Sequence, residues 1–159
     1  MPGMDHVLAK AFLATGGSVA YSRWQVVKQL GGSTMLPAQC AVMVSTTDAA
    51  VLPLGVCMED LDAVKTNTGK AMINIALEGN VKAIWDGVGA APTPGSVVKL
   101  SAKAAGTGNG QVTVATKAAA GVQPAACLGY VLDILGNSIG QTATAGDWLD
   151  VELVPGMMY

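Results

Sequence analysis

The chain has 159 residues, enough for one domain that buries roughly 68–70% of its unfolded surface without help from disulfides or metal. Hydrophobic residues make up 51% of it, yet only 4% is aromatic and only 13% is charged, against a usual charged share of about 25%; such a chain is expected to hide part of its surface against other chains. Nine basic against eleven acidic residues give −2, which leaves no basic footprint for nucleic acid or an anionic membrane, and no apolar run of about 18 residues offers a transmembrane helix.

In chain order, Met1 to His6 lacks the basic stretch and apolar core of a signal peptide. Residues 1–17 end in Gly16-Gly17 and read as an N-terminal arm, within which residues 5–14 offer at most a turn or two of helix. The remaining 18–159 read as one domain. Val26-Val27-Lys28 and residues 41–46 look like short strands, and residues 59–64 like a short helical piece. In residues 71–79, Ile73, Ile75 and Leu77 share a face while Asn74, Ala76 and Glu78 take the other, the period of two that a strand requires. Residues 97–100 and 111–116 are β-branched runs; near the C-terminus Leu149, Val151 and Leu153 alternate with Asp150 and Glu152. Turn signals such as Asn67-Thr68-Gly69, Pro94-Gly95 and Asn109-Gly110 punctuate these runs. The pattern predicts a mainly β chain, a small barrel or sandwich, with little helix.

The two halves echo each other. Val26-Val27-Lys28 returns as Val97-Val98-Lys99 at an offset of 71, and Val42-Met43-Val44 as Val112-Thr113-Val114 at 70. Leu54-Gly55-Val56 returns as Leu128-Gly129-Tyr130 at 74, and residues 73–77 as 149–153 at 76. Four elements in one order predict a barrel of two similar half-repeats, about 20–80 and 92–156. Generic strand alternation without duplication is the plainer alternative.

Chemistry-bearing groups are sparse. His6 is the single histidine, and no nucleophile–base pair can be named, so no catalytic residue is assigned and the chain is not read as an enzyme. Glu59, Asp60 and Asp62 lack the alternating ligands and glycine of a calcium loop and read as a solvated turn; no metal or cofactor is expected. Residues 106–110 carry three glycines but open onto a strand, so they suit a hairpin turn better than a phosphate loop. Cys40, Cys57 and Cys127 are odd in number and widely spaced, as for buried free thiols in a reducing compartment. Trp148 is out of phase with Leu149, Val151 and Leu153 and is expected to point outward, an anchor for another subunit unless a loop folds over it. Trp85 beside Asp86-Gly87 sits at a turn, where packing is the plain reading and sugar stacking the sharper one. Residues 157–159 are apolar enough to dock on a neighbour. Charge is lopsided: residues 1–30 sum to +2 and residues 127–159 to −4.

Each half closes on a Leu-Gly pair, a short strand, a glycine turn and a final apolar strand. The pieces are Leu54-Gly55-Val56-Cys57-Met58 with residues 68–79, then Leu128-Gly129-Tyr130-Val131-Leu132-Asp133 with residues 145–153. Between them lies Pro94-Gly95-Ser96-Val97-Val98-Lys99-Leu100. Over residues 20–156 this arrangement resembles the small capsid decoration, or cement, proteins of tailed bacteriophages, whose barrel is called a β-tulip. The resemblance implies a structural protein of the virion, made in the host cytoplasm. Such a protein binds the outer surface of the expanded capsid as a homotrimer and holds major capsid protein subunits against internal DNA pressure, often with help from an N-terminal arm. Candidates for capsid or intersubunit contact are His6, Lys10, Phe12, Arg23, Trp24, Trp148 and Tyr159. The alternative is a carbohydrate-binding β-module displayed on a particle, with Trp85 or Trp148 as stacking platform.

Overall fold

A computed structural model of the protein describes residues 7–15, 19–31, 38–104, 106–134 and 142–159. His6 lies outside them, as does part of the expected arm. Among the described residues the strands are β1 (Leu8–Ala14), β2 (Val26–Gln29), β3 (Gln39–Val42), β4 (Gly55–Cys57), β5 (Met72–Ile84), β6 (Val97–Leu100), β7 (Val112–Val114), β8 (Gly129–Ile134) and β9 (Trp148–Leu153). One helical turn, α1 (Ala63–Thr66), starts where the Asp62 carboxylate accepts the Lys65 N–H at 2.8 Å. The chain is mainly β, as expected.

The strands run β1-β3-β2-β4-β5-β9-β8-β6-β7, and β1 also pairs with β5. The first five thereby close a ring, a five-stranded barrel without a free edge. The other four come round toward the same long strand: Trp85, just past the end of β5, makes a parallel bridge to Val112 of β7. Strand β5 serves both barrels. Its residues up to Glu78 pair with β1 and β4, and from Gly79 onward it pairs with β9. Gly79 has φ 97°, a conformation that glycine adopts without strain, and it marks the hand-over.

The registers of the two barrels repeat. In the first, Val26 faces Val56 and Val27 faces Gly55; in the second, Val97 faces Tyr130 and Val98 faces Gly129. Phe12 opposite Ile73 becomes Ala83 opposite Leu149. The parallel pair Ala14–Cys40 becomes Trp85–Val112. One offset differs from the sequence echo. Val27 faces Val42 and Val98 faces Val114, so Val42 corresponds to Val114, two residues on from the match to Val112. A slip of two keeps the same side chains on the same face, which is why the sequence tolerates either alignment. Each repeat begins one strand earlier than the sequence suggests, with β1 in the first and with the second half of β5 in the second.

Strand β1 lies inside the segment read as an arm, where at most a turn or two of helix was expected. Its alternation is muted because three of its seven residues are alanine. Tertiary pairing on both sides, rather than its own propensity, makes it a strand.

Inside the first barrel lie Phe12, Tyr21, Val27, Cys40, Cys57, Ile73 and Ile75. The register counterparts of all of these but Tyr21, namely Ala83, Val98, Val112, Val131, Leu149 and Val151 in the second, are buried likewise. Val26, Val56 and Ala76 point out of the first barrel and are nevertheless fully buried, because they join the second barrel's cluster. The two barrels are packed as one body by that shared core.

Candidate interaction surface

The sequence candidates divide into three groups by position. Lys10 and Arg23 are exposed, Trp24 and Tyr159 are half-buried, and Trp148 is 45% exposed while Leu149 and Val151 beside it are sealed. The alternation along β9 thus turns the indole outward. Phe12, in contrast, is 4% exposed and packs with Tyr21 and Ile73 in the first barrel, so it is a core residue closed to any partner. Tyr159 folds back on its own chain: its N–H and carbonyl both pair with Ala125, and its ring packs near Val97, Ala115 and Cys127.

Trp24 and Trp148, far apart in sequence, flank one lysine. Lys82 Nζ stands 5.7 Å from the Trp24 ring centre and 5.1 Å from that of Trp148, and Arg23 lies 5.9 Å over Trp24. Each such contact at a wet surface contributes about 0.5–1 kcal/mol. The turn that delivers Trp24 is held by its backbone: Arg23 N–H donates to Asp60 Oδ1 at 2.7 Å, and Trp24 N–H to the Cys57 carbonyl at 2.8 Å. Trp24 itself has φ 71°, a left-handed conformation costing about 1–2 kcal/mol for a residue with a Cβ. That strain is outweighed by the fixed turn, which sets the indole against Lys82. Lys82 faces Asp150 across the ladder, and Asp150 accepts Asn80 Nδ2 at 3.2 Å. Two cations and two indoles therefore form one rigid patch, rich in the residue types that dominate interface hot spots. Lys82 did not stand out in the sequence; its signal is its place between Val81 and Ala83, polar between two core positions.

The acidic turn uses its oxygens locally. Glu59 accepts the Asn74 N–H, Asp60 that of Arg23 and Asp62 that of Lys65. Asn109 in the β6–β7 turn accepts from the N–H groups of Gly106 and Ser45, both at 3.1 Å, which ties that turn to the first barrel. Trp85 is 5% exposed, inside the second barrel, and its indole N–H has no acceptor among the described residues. A sealed ring cannot stack on sugar, so the platform role falls away for Trp85.

A groove of about 650 Å³ runs between the barrels, lined by Tyr21, Gln25, Lys28, Val42, Asn109 and Gln111 among others. Lys28 is held by the buried Asp48 carboxylate at 2.5 Å, and the same carboxylate accepts the Val44 N–H. The lining mixes apolar side chains with the hydrogen-bonding groups of Gln25, Asn109 and Gln111 and the Lys28 ammonium. The three cysteines are free and buried. Burial pushes the Cys40 thiol up to about 12 and raises those of Cys57 and Cys127, which keeps them protonated and unreactive at neutral pH.

No family model and no curated protein matches the chain. Among solved structures, its fold is similar to that of the head fiber gp8.5 N base of bacteriophage phi29, with a TM-score of 0.54 over 97% of this chain and 100% of that one. The two are 11% identical, so the likeness is one of fold.

Proposed function

We propose that the protein is a structural component of a tailed-phage particle, bound as a homotrimer to the outer surface of the expanded capsid, where it braces neighbouring major capsid protein subunits against DNA pressure. The observation that carries this reading is the fold match along nearly the whole chain to the base of a phage head fiber. The Leu-Gly repeat pattern, similar to that of capsid decoration proteins, supports it independently. The mechanism is additive burial without catalysis. A contact near the standard ~1,600 Å² suffices for specific binding, and a trimer that engages several sites at once gains through effective concentration. The patch of Arg23, Trp24, Lys82 and Trp148 is the surface assigned to the shell.

The test is co-sedimentation with undecorated expanded heads of the parent phage, with immature proheads as control. Saturable binding to expanded heads alone is expected, and Trp148→Ala is expected to weaken it at least tenfold. Absence of binding by the folded protein would refute the reading. A glycan-binding role now rests on the exposed face of Trp148 alone; a glycan-array signal lost on Trp148→Ala would favour it.

A further inference from the structure

We propose that a second copy of this chain seats the β1 end of its first barrel on the outer face of β8 and β9, around Tyr130 and Leu132. This deepens the trimer part of the proposed function and rests on it. The molecule builds one face twice and covers it once. On the first barrel that face is Val26, Val56 and Ala76, all fully buried against the second barrel, with Met58 packed beside them. The repeated registers place Val97, Tyr130 and Glu152 at the same positions of the second barrel, and Leu132 lies beside Tyr130 in the bulge between Val131 and Asp133. There the cover is partial. Met157 and Tyr159 lie over Val97, but Tyr130 is 37% and Leu132 38% exposed.

The same symmetry names the occupant. Val81, Leu100, Leu128 and Leu153 of the second barrel share the buried cluster with Val26, Val56 and Ala76. Their counterparts on the first barrel are Lys10, Gln29, Leu54 and Leu77. Lys10 and Gln29 are exposed, Leu8 on the same strand as Lys10 is 55% exposed, and Leu54 and Leu77 are half-buried against the first barrel's own core. The end that covers the face within one chain thus exists a second time, with Lys10 of β1 and Gln29 of β2 open to solvent. In this seating Lys10 is set against Glu152, with Asp133 nearby, opposite charges that would fix orientation. Such a contact joins unlike surfaces, so it closes into a ring when the rotation permits, and a trimer is one such ring.

The test is sedimentation velocity of the full chain over about 1–100 µM, with near-UV circular dichroism confirming the fold of each variant. The wild type is expected to associate. Leu132→Asp and Lys10→Glu are each expected to raise the concentration for association at least tenfold. Combining Lys10→Glu with Glu152→Lys in one chain is expected to recover much of the loss, and Val64→Asp on the distant helix to change nothing. Association that neither single substitution weakens overturns this interface while leaving the trimer intact, and failure of the double variant to recover overturns the Lys10–Glu152 pairing. A wild type that stays monomeric throughout overturns both the interface and the trimer, whereas binding to heads tests the capsid separately.

Discussion

Replacing Gly129 or Gly55 by alanine is expected to destabilise the protein by similar, large amounts. Neither glycine is needed for a positive φ. The constraint is proximity: a Cβ at Gly129 would lie 1.9 Å from the Glu152 carbonyl oxygen, and one at Gly55 1.9 Å from that of Ala76. Real Cβ atoms essentially never approach within 3.0 Å, so the strands must part by more than an ångström, and the obstacle is backbone that no rotamer can clear. Parting strains a ladder that is short on the β4 side, where only Val56–Ala76 and Cys57–Ile75 are paired. Overpacking of this kind costs about 1–3 kcal/mol, and each ladder bond lost adds about 1 kcal/mol. A total of roughly 3 kcal/mol corresponds to a fall in Tm of about 6–12 °C for a domain of this size. Differential scanning calorimetry reads this directly, with Gly31→Ala as comparator, since no atom lies within 4 Å of a Cβ there. A loss below about 2 °C at either glycine would refute the argument from close approach.

Other expectations follow from burial and charge. Phe12→Ala should cost about 3–5 kcal/mol in urea unfolding, because it leaves a cavity in the core of the first barrel; deleting residues 1–17 removes β1 and its pairing to β3 and β5, opens the ring and should abolish cooperative unfolding of that barrel. Asp48→Ala strands the half-buried Lys28 and the Val44 N–H together, and a loss of about 2 kcal/mol in the same assay is expected. The buried thiols make stability fall in alkali. An unfolded cysteine ionises near 8.5 while Cys40 holds its proton to about 12, so above pH 8.5 the folded state binds more protons and loses stability as pH rises. Cys40→Ala should lower the neutral plateau yet flatten that slope by about 1.4 kcal/mol per pH unit, and urea midpoints from pH 7 to 10 that keep the wild-type slope would count against it. Trp148→Ala should change Tm by no more than a few degrees, since its ring is half in solvent and its cation–π contact contributes about 0.5–1 kcal/mol.

Much of the fold was legible because the repeat carries its own check. Val27 and Val98, Gly55 and Gly129, Ile73 and Leu149 stand at equivalent positions in two closed pairing patterns, and alternation alone placed Ile73, Ile75, Leu149 and Val151 inward. The strand that opens each repeat escaped notice for two different reasons. In β1, alanines replace the larger apolar residues that would mark alternation. In the second half of β5 the strand continues through Gly79, which reads as a terminator in sequence but serves as the bend between barrels.

The candidate surface was legible only in pieces, and the reason is register. Outward projection of Trp148 follows from a period of two within β9, a local property. That Trp24 meets it across Lys82 depends on how β5 lies against β9 and on a turn whose tryptophan takes a left-handed φ, neither of which sequence spacing encodes. Phe12 misled for the complementary reason: an aromatic in an apparently aperiodic terminus looks free, until pairing opposite Ile73 turns it inward. Tyr130 and Leu132 looked like ordinary strand residues. Their exposure acquires meaning only beside Val56, which holds Tyr130's position in the first barrel and has a second barrel laid over it. A duplicated fold thus supplies its own control, since what one copy buries shows what the other leaves open.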